Sequence, residues 1–233
     1  MSREYCLKKV SMKFHAAIFD LDGVIVSTDE FHYLGWKKIA DEEGIFFDRE
    51  RNHRLRGVSR MESLEILLEP SGRQYTREEK EVLAARKNAY YRELLATLSA
   101  RDILPGVMNF CEGLRNRHIL LAIGSSSRNA REILQRVGLD TYFDAVADGS
   151  DISRSKPDPE VFLLAAQRLG VSPEHALVIE DAESGVSAAL AAGCFCLGVG
   201  MAANDPRVHF RGKDLREIDV EELLSCMAAK AAL

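Results

Sequence analysis

Four short clusters of acidic, basic and hydroxyl residues each follow, or lie between, compact apolar runs. Asp20-Leu21-Asp22-Gly23 follows the run 15–19, and Gly124-Ser125-Ser126-Ser127 follows 119–123. Lys156 sits in Ser155-Lys156-Pro157-Asp158-Pro159, and Glu180-Asp181 follows 176–179. Carboxylates converging on one pocket repel each other, and repel a phosphate, unless a cation sits among them. Mg²⁺ suits that place, because it takes hard oxygen ligands and keeps room for waters and a substrate phosphate. A carboxylate beside such a cation can attack phosphorus and form an aspartyl phosphate. Lys156 supplies positive charge for the group in transfer, and Ser125, Ser126 and nearby amides supply donors. Asp22, two residues beyond Asp20, is placed to protonate a leaving group and then deprotonate the incoming nucleophile. Each cluster alone has a plainer reading as a turn, a helix cap or a solvated lysine. All four in order, at the ends of apolar runs, point to phosphoryl transfer.

The runs that must position these residues are short, apolar and unalternating, as in strands of a parallel sheet covered on both faces. They are 15–19, 119–123, a weaker 143–147, 176–179 and 194–199. Between them Ala130, Ile133, Leu134 and Val137 follow helical spacing, as do Val161, Leu164, Ala165 and Leu169. Strand–helix–strand repetition predicts an α/β, doubly wound parallel sheet, with ligands at the carboxyl ends of the strands. The long piece from Val26 to Arg101 has no strand-like run. It reads as helices over 29–43, 60–68 and 76–98, broken at Pro70-Ser71-Gly72, and is long enough to form a separate lobe.

The chain has 233 residues, 46% of them hydrophobic, which excludes a mainly disordered protein. With 31 basic and 36 acidic residues its net charge is −5, against nonspecific nucleic-acid binding. No apolar stretch follows the early charges Arg3, Lys8, Lys9 and Lys13, so no secretory signal is expected. Residues 184–204 carry no charge, but their glycines, alanines and serines read as a short helix, a Gly193 stop and a buried strand rather than a membrane span. Cys6, Cys111, Cys194, Cys196 and Cys226 are an odd, scattered set, expected to be inert thiols in the cytoplasm.

Asp20-x-Asp22-Gly23, Ser125, Lys156 and Glu180-Asp181 together resemble the four motifs of the haloacid dehalogenase superfamily. The resemblance implies a Rossmann-like core over 1–26 and 102–233 with an inserted all-helical cap domain over 27–101. It implies Asp20 as nucleophile and Asp22 as general acid/base. It implies a Mg²⁺ site at Asp20, Glu180, Asp181 and the backbone carbonyl of Asp22. Gly57-Val58-Ser59-Arg60-Met61-Glu62-Ser63-Leu64 is similar to the cap motif of the β-phosphoglucomutase subgroup, and Thr28, His32 and Trp36 are spaced as in that subgroup. Arg86-Lys87-Asn88 matches a further cap signature. By this resemblance Arg60 grips the distal phosphate of a sugar bisphosphate, with Arg56, Gly57, Ser63 and Lys87 assisting. Thr28 and His32 lie at the substrate, His32 orients Asp22, and Asn129 faces the substrate from the core. Arg56 stands where the subgroup commonly has Lys, and Ser126 where it often has Ala. Related chains begin near Met12, which makes 1–11 an extension or an over-read start.

The expected partner is a small sugar phosphate, with no nucleic acid, no membrane and a monomeric chain. The implied reaction interconverts β-glucose 1-phosphate and glucose 6-phosphate through a 1,6-bisphosphate. A sugar-phosphate phosphatase, or a mutase for another sugar phosphate, is the alternative on the same scaffold. A non-catalytic binding module has no need of Asp22.

Overall fold

The computed structural model describes residues 14–55 and 58–230, and the side chains of 14–55 and 58–226. Six strands form one parallel sheet: β1 (Ala16–Phe19), β2 (Leu120–Gly124), β3 (Ala145–Ala147), β4 (Ala176–Glu180), β5 (Phe195–Gly198) and β6 (Phe210–Arg211). Their spatial order is β3-β2-β1-β4-β5-β6. Phe19 pairs with Ile123 of β2 on one side and Ile179 of β4 on the other. The sequence clusters after these strands therefore emerge side by side at one edge.

Alternate strand residues point to opposite faces, and both faces are buried, which is why the runs show no polar alternation. Ala17, Phe19, Leu121, Ile123, Leu177 and Ile179 pack in one cluster with α5 (Val107–Arg115), α6 (Ala130–Arg136) and α9 (Val220–Lys230). Ala16, Ile18, Ala122, Val178 and Cys196 pack in another with α7 (Glu160–Leu169) and α8 (Glu183–Ala191). Gly193, with φ of 79°, ends the small-residue helix as its sequence suggested. Cys111, Cys194 and Cys196 are buried free thiols, each pushed up to about 12 by burial, so they stay protonated. Among the described residues no helix is long and apolar enough to cross a membrane. Cys6 and the doubtful start at 1–11 lie outside the described residues.

The inserted segment is helical: α1 (Asp29–Glu42), α2 (Arg49–His53), α3 (Arg60–Leu68) and α4 (Arg77–Leu95). Ser59 with Glu62, and Thr76 with Glu79, form capping boxes that start α3 and α4. Trp36, Ile39, Leu64, Leu67, Leu68 and Leu83 form a core private to this lobe. Trp36 thus packs inside the lobe, as its helical spacing favours. The strands entering and leaving the lobe touch: Val26 bridges Ile103, and Leu104 N–H donates to the Ile25 carbonyl at 2.8 Å.

Several elements go beyond the sequence reading. The helix expected over 76–98 begins one residue later, with Thr76 as its cap, and ends at Leu95. Tyr91, Leu95 and Leu98 belong to the sheet's core rather than the lobe's, so the hydrophobic seam falls within α4 and not at residue 101. The short α2 and the two-residue β6 carry no periodic signal long enough to read, and α5 and α9 were not anticipated. Replacing Leu67, fully buried in the lobe's core, by Ala is expected to cost about 2–5 kcal/mol, measured by urea unfolding.

Candidate functional site

Lys156 is the pivot of the polar edge of the sheet. It is 2% exposed, and its ammonium donates to Asp20 Oδ1 at 2.5 Å and to Glu180 Oε1 at 2.6 Å. Burial alone would lower the Lys156 pKa, but the two carboxylates outweigh it and hold the amine protonated above its ordinary value. Burial also pushes Glu180 up, with Lys156 opposing. The other Glu180 oxygen accepts from the N–H groups of Asp181 and Ala182 at 2.9 and 3.0 Å. Asp20, Glu180 and Asp181 each bring a carboxylate oxygen within 4.8 Å of the others. An all-carboxylate donor set of this kind fits a hard divalent cation.

Two glycines make this packing possible. A side chain on Gly23, whose φ is +91°, would collide with the Asp181 carboxylate. One on Gly185, in the first turn of α8, would collide with the Glu180 carboxylate. Gly124-Ser125 closes β2 beside them. The Ser125 hydroxyl oxygen accepts from Ser127 N–H at 3.1 Å, leaving its proton to donate outward. Ser126 Oγ accepts from Lys156 N–H at 3.4 Å and so steadies the lysine loop.

Asp22 faces the helical lobe. Burial pushes its carboxyl up to about 6, while the Thr28 hydroxyl, which donates to it, pulls the other way. Thr28 Oγ1 lies 2.9 Å from the Tyr91 hydroxyl, which completes a Tyr91–Thr28–Asp22 chain. Thr28 is fully buried behind Asp22 and is not among the residues lining the cavity. His32 Nδ1 lies 2.8 Å from Lys87 Nζ, and its ring packs 4.2 Å from that of Tyr91. Burial, then Lys87 and Arg60, keep His32 well below its ordinary pKa and hence neutral. Burial and Arg60 lower Lys87 as well, while its Nζ sits over the rings of Tyr91 and Trp36 at 4.5 and 5.0 Å.

These groups line one cavity of about 690 Å³ between sheet edge and lobe. Asp20, Asp22, Ser125, Ser126, Asn129, Lys156, Glu180 and Asp181 face it from the core, and His32, Arg60, Ser63 and Lys87 from the lobe. Arg56 and Gly57 lie outside the described residues. Arg60 opens α3, with Ser63 one turn on, and burial followed by Arg128 lowers its pKa. Two others of the 49–60 stretch lie at the solvated surface: Arg49 pairs with Glu30 and Arg54 with Glu69, both at 2.7 Å. Asn129 donates through Nδ2 to Asn88 Oδ1 at 2.9 Å, tying core to lobe.

Arg128 and Tyr91 were missed by sequence reasoning. Arg128 lines the cavity and donates to the Gly149 carbonyl at 3.2 Å. It sits within the Ser125–Asn129 loop already singled out, and only its neighbours drew notice. Tyr91 lies four residues after Lys87, on the same face of α4, a spacing that would have found it.

Gly185→Ala puts a side chain where the Glu180 carboxylate stands, and is expected to weaken divalent-cation binding at least tenfold by displacing it, with the fold retained. Calorimetric titration alongside thermal unfolding reads both.

A family model described as haloacid dehalogenase-like hydrolase matches residues 14–193. The chain is 48% identical over 187 residues to a Bacillus subtilis protein named β-phosphoglucomutase, covering 79% of this chain and 83% of that one. It is 33% identical over 216 residues to a Thermotoga maritima phosphorylated carbohydrates phosphatase, covering 91% and 97%. A Clostridium difficile structure titled β-phosphoglucomutase superposes with a TM-score of 0.90 at 35% identity, over 94% of this chain and all of that one.

Proposed function

From the premise that the chain belongs to the haloacid dehalogenase-like hydrolase family, we propose that it is a β-phosphoglucomutase, interconverting β-glucose 1-phosphate and glucose 6-phosphate through a bound 1,6-bisphosphate. The observation that carries this is one cavity with a reaction end and a holding end. Asp20 and Asp22 stand at the first, and Arg60, with no carboxylate partner among the described residues, stands on the opposite lobe.

Asp20 attacks phosphorus, the bond to the leaving sugar oxygen breaks, and Asp22 gives that oxygen a proton. In the return step Asp22 takes the proton of the attacking hydroxyl as the phosphoryl group leaves Asp20. A carboxyl raised to about 6 suits both directions near neutral pH. Thr28 and Tyr91 fix its orientation, and neutral His32 adds no charge beside it. Lys156, Ser125 and Ser126 surround the transferring group with positive charge and donors. Asp20, Glu180 and Asp181, with the backbone carbonyl of Asp22 by family pattern, would hold Mg²⁺, which when bound offsets negative charge at phosphorus.

At the holding end Arg60 takes the phosphate not in transfer, with Arg128 and Asn129 opposite and Ser63 and Lys87 around it; Arg56 and Gly57 are assigned to it by the family pattern alone. The lobe acts as a cap that keeps water from phosphorylated Asp20. We take the enzyme to act as a monomer in the cytoplasm. No nucleic-acid role is assigned: Arg49 and Arg54, the exposed arginines of the 49–60 stretch with named partners, pair with Glu30 and Glu69.

A second reading, phosphatase action on the same substrates, is favoured by the likeness to the Thermotoga protein. One assay separates them: β-glucose 1-phosphate with Mg²⁺ and a trace of 1,6-bisphosphate. Glucose 6-phosphate is expected as product, and free phosphate as the main product would establish the phosphatase. Asp20→Ala is expected to abolish both products, checked in that assay with circular dichroism for folding. Arg60→Ala is expected to lower mutase turnover about 100-fold, the scale of a lost charged hydrogen-bond pair, and hydrolysis of a small aryl phosphate far less.

A further inference from the structure

Two residues of the Arg86-Lys87-Asn88 signature on α4 have a clear place. Arg86 pairs with Glu42 at 2.8 Å on the lobe's surface, and Lys87 faces the cavity. Asn88 does neither. It is half-buried and is not among the residues lining the cavity, and its Oδ1 accepts from Asn129 Nδ2 of the core at 2.9 Å. Asn129 is 9% exposed and does line the cavity. One residue of the core thus borders the site and bonds to the lobe's helix at the same time.

The core fixes the backbone of Asn129 without help from the lobe. Its N–H donates to Ser127 Oγ at 3.2 Å, and its carbonyl accepts from Ile133 N–H at 3.0 Å. Ser127 is held in turn: its N–H donates to Ser125 Oγ at 3.1 Å, and its carbonyl accepts from Gly149 N–H at 3.1 Å. The side-chain amide is different. The last torsion of an asparagine is broad and roughly two-fold, so the group by itself turns either its oxygen or its nitrogen toward a neighbour. A phosphate needs donors, and a carbonyl oxygen turned toward it repels it. The acceptor on Asn88 draws the nitrogen of Asn129, whose NH₂ group keeps a second proton after that bond is made.

Asn88 meets Asn129 where α4 runs past the start of α6. One turn further along α4, Arg92 Nε donates to Glu132 Oε2 at 2.7 Å. Residues four apart and three apart on a helix share a face, so these two bonds are successive rungs between the same two elements. The outer rung is solvent-exposed on the Arg92 side and touches nothing in the cavity. We infer that Asn88 is a positioning residue for phosphate binding: it takes one amide proton of Asn129 and so keeps the other for the phosphate held opposite Arg60. This rests on the reading above, in which Asn129 stands at the holding end. It deepens that reading, because the core's share of the grip is then complete only while α4 lies against α6.

The test is a double-substitution cycle. Asn88→Ala, Asn129→Ala and the double variant are assayed with β-glucose 1-phosphate, Mg²⁺ and a trace of 1,6-bisphosphate. They are assayed separately with a small aryl phosphate, which brings no second phosphate. Asn88→Ala is expected to lower kcat/KM for the sugar phosphate about tenfold, chiefly through KM, the scale of one hydrogen bond. In the Asn129→Ala background it is expected to change kcat/KM by no more than about twofold, because contacting residues that act as a unit do not add. Hydrolysis of the aryl phosphate by Asn88→Ala is expected to stay in that range, as is Arg92→Met, which breaks the outer rung alone, on both substrates. Ala is a better helix former than Asn, so the fold is expected to hold, read by thermal unfolding. If it does not, Asn88→Leu, of similar size and without an acceptor, carries the same cycle. A loss of the same size in the Asn129→Ala background would overturn the assignment. So would an equal loss with the aryl phosphate or in Arg92→Met, either of which marks Asn88 as part of the lobe's packing. Unchanged kinetics in Asn88→Ala would overturn it as well, with the mutase reading intact. No sugar-phosphate turnover by the unsubstituted chain would sink both.

Discussion

A protonated lysine held between two carboxylates with almost no water around it is the constraint on which the rest of this molecule depends. Removing three charges from solvent is costly, and the cost is met only when geometry and secondary hydrogen bonds are good. The sheet supplies that geometry. Its order sets β1 directly against β4, so Asp20 and Glu180 leave neighbouring strands at nearly the same height. The turn after β4 spends two backbone N–H groups on the free oxygen of Glu180, and Gly185 leaves space for its carboxylate. Gly23 does the same for Asp181. Small residues here are consequences of charge packing, and the loop carrying Lys156 is held by Ser126, two residues beyond β2.

The second polar network lies on the lobe side and answers to different physics. Asp22, Thr28, Tyr91, His32 and Lys87 come from the loop after β1, from α1 and from α4, and are brought together by the same burial that shifts their pKa values. In this network burial dominates over charge pairing. It holds the His32 ring neutral and leaves Asp22 able to carry a proton near neutral pH. Because Tyr91 belongs to the sheet's core while Trp36 belongs to the lobe's, α4 straddles the two bodies. The setting of Asp22 is therefore tied to how the lobe packs on the sheet domain, with Asn88 and Asn129 joining the two bodies nearby.

Much of the fold was legible because its signals are local. Five strands match apolar runs to within a residue or two, and α3 starts where Ser59 and Glu62 sit three residues apart. What escaped was either short or dependent on distant contacts. β6 has two residues, α2 has five, and the division of α4 between two cores is a matter of what packs against each of its turns. At the site, residues inside strand-end motifs were found by type and spacing. Arg128 was not, because nothing in its immediate neighbours distinguishes a cavity-facing side chain from a solvated one, and Tyr91 is betrayed only by its four-residue spacing from Lys87. Thr28 shows the converse: its spacing marked it as important, but only packing revealed that it lies behind Asp22.

The chain by itself determined the chemistry on offer: carboxylates, a lysine and hydroxyls at the ends of apolar runs, and a helical insertion carrying arginines. Strand propensity, capping and charge type are encoded within a few residues and need no distant partner. Tertiary structure decided the rest. It chose which arginine faces the cavity and which are neutralised at the surface. It fixed which aspartate shares a lysine and which is raised towards neutral pH. Each of those outcomes depends on desolvation and on groups brought close from far along the chain, neither of which exists until the chain is folded.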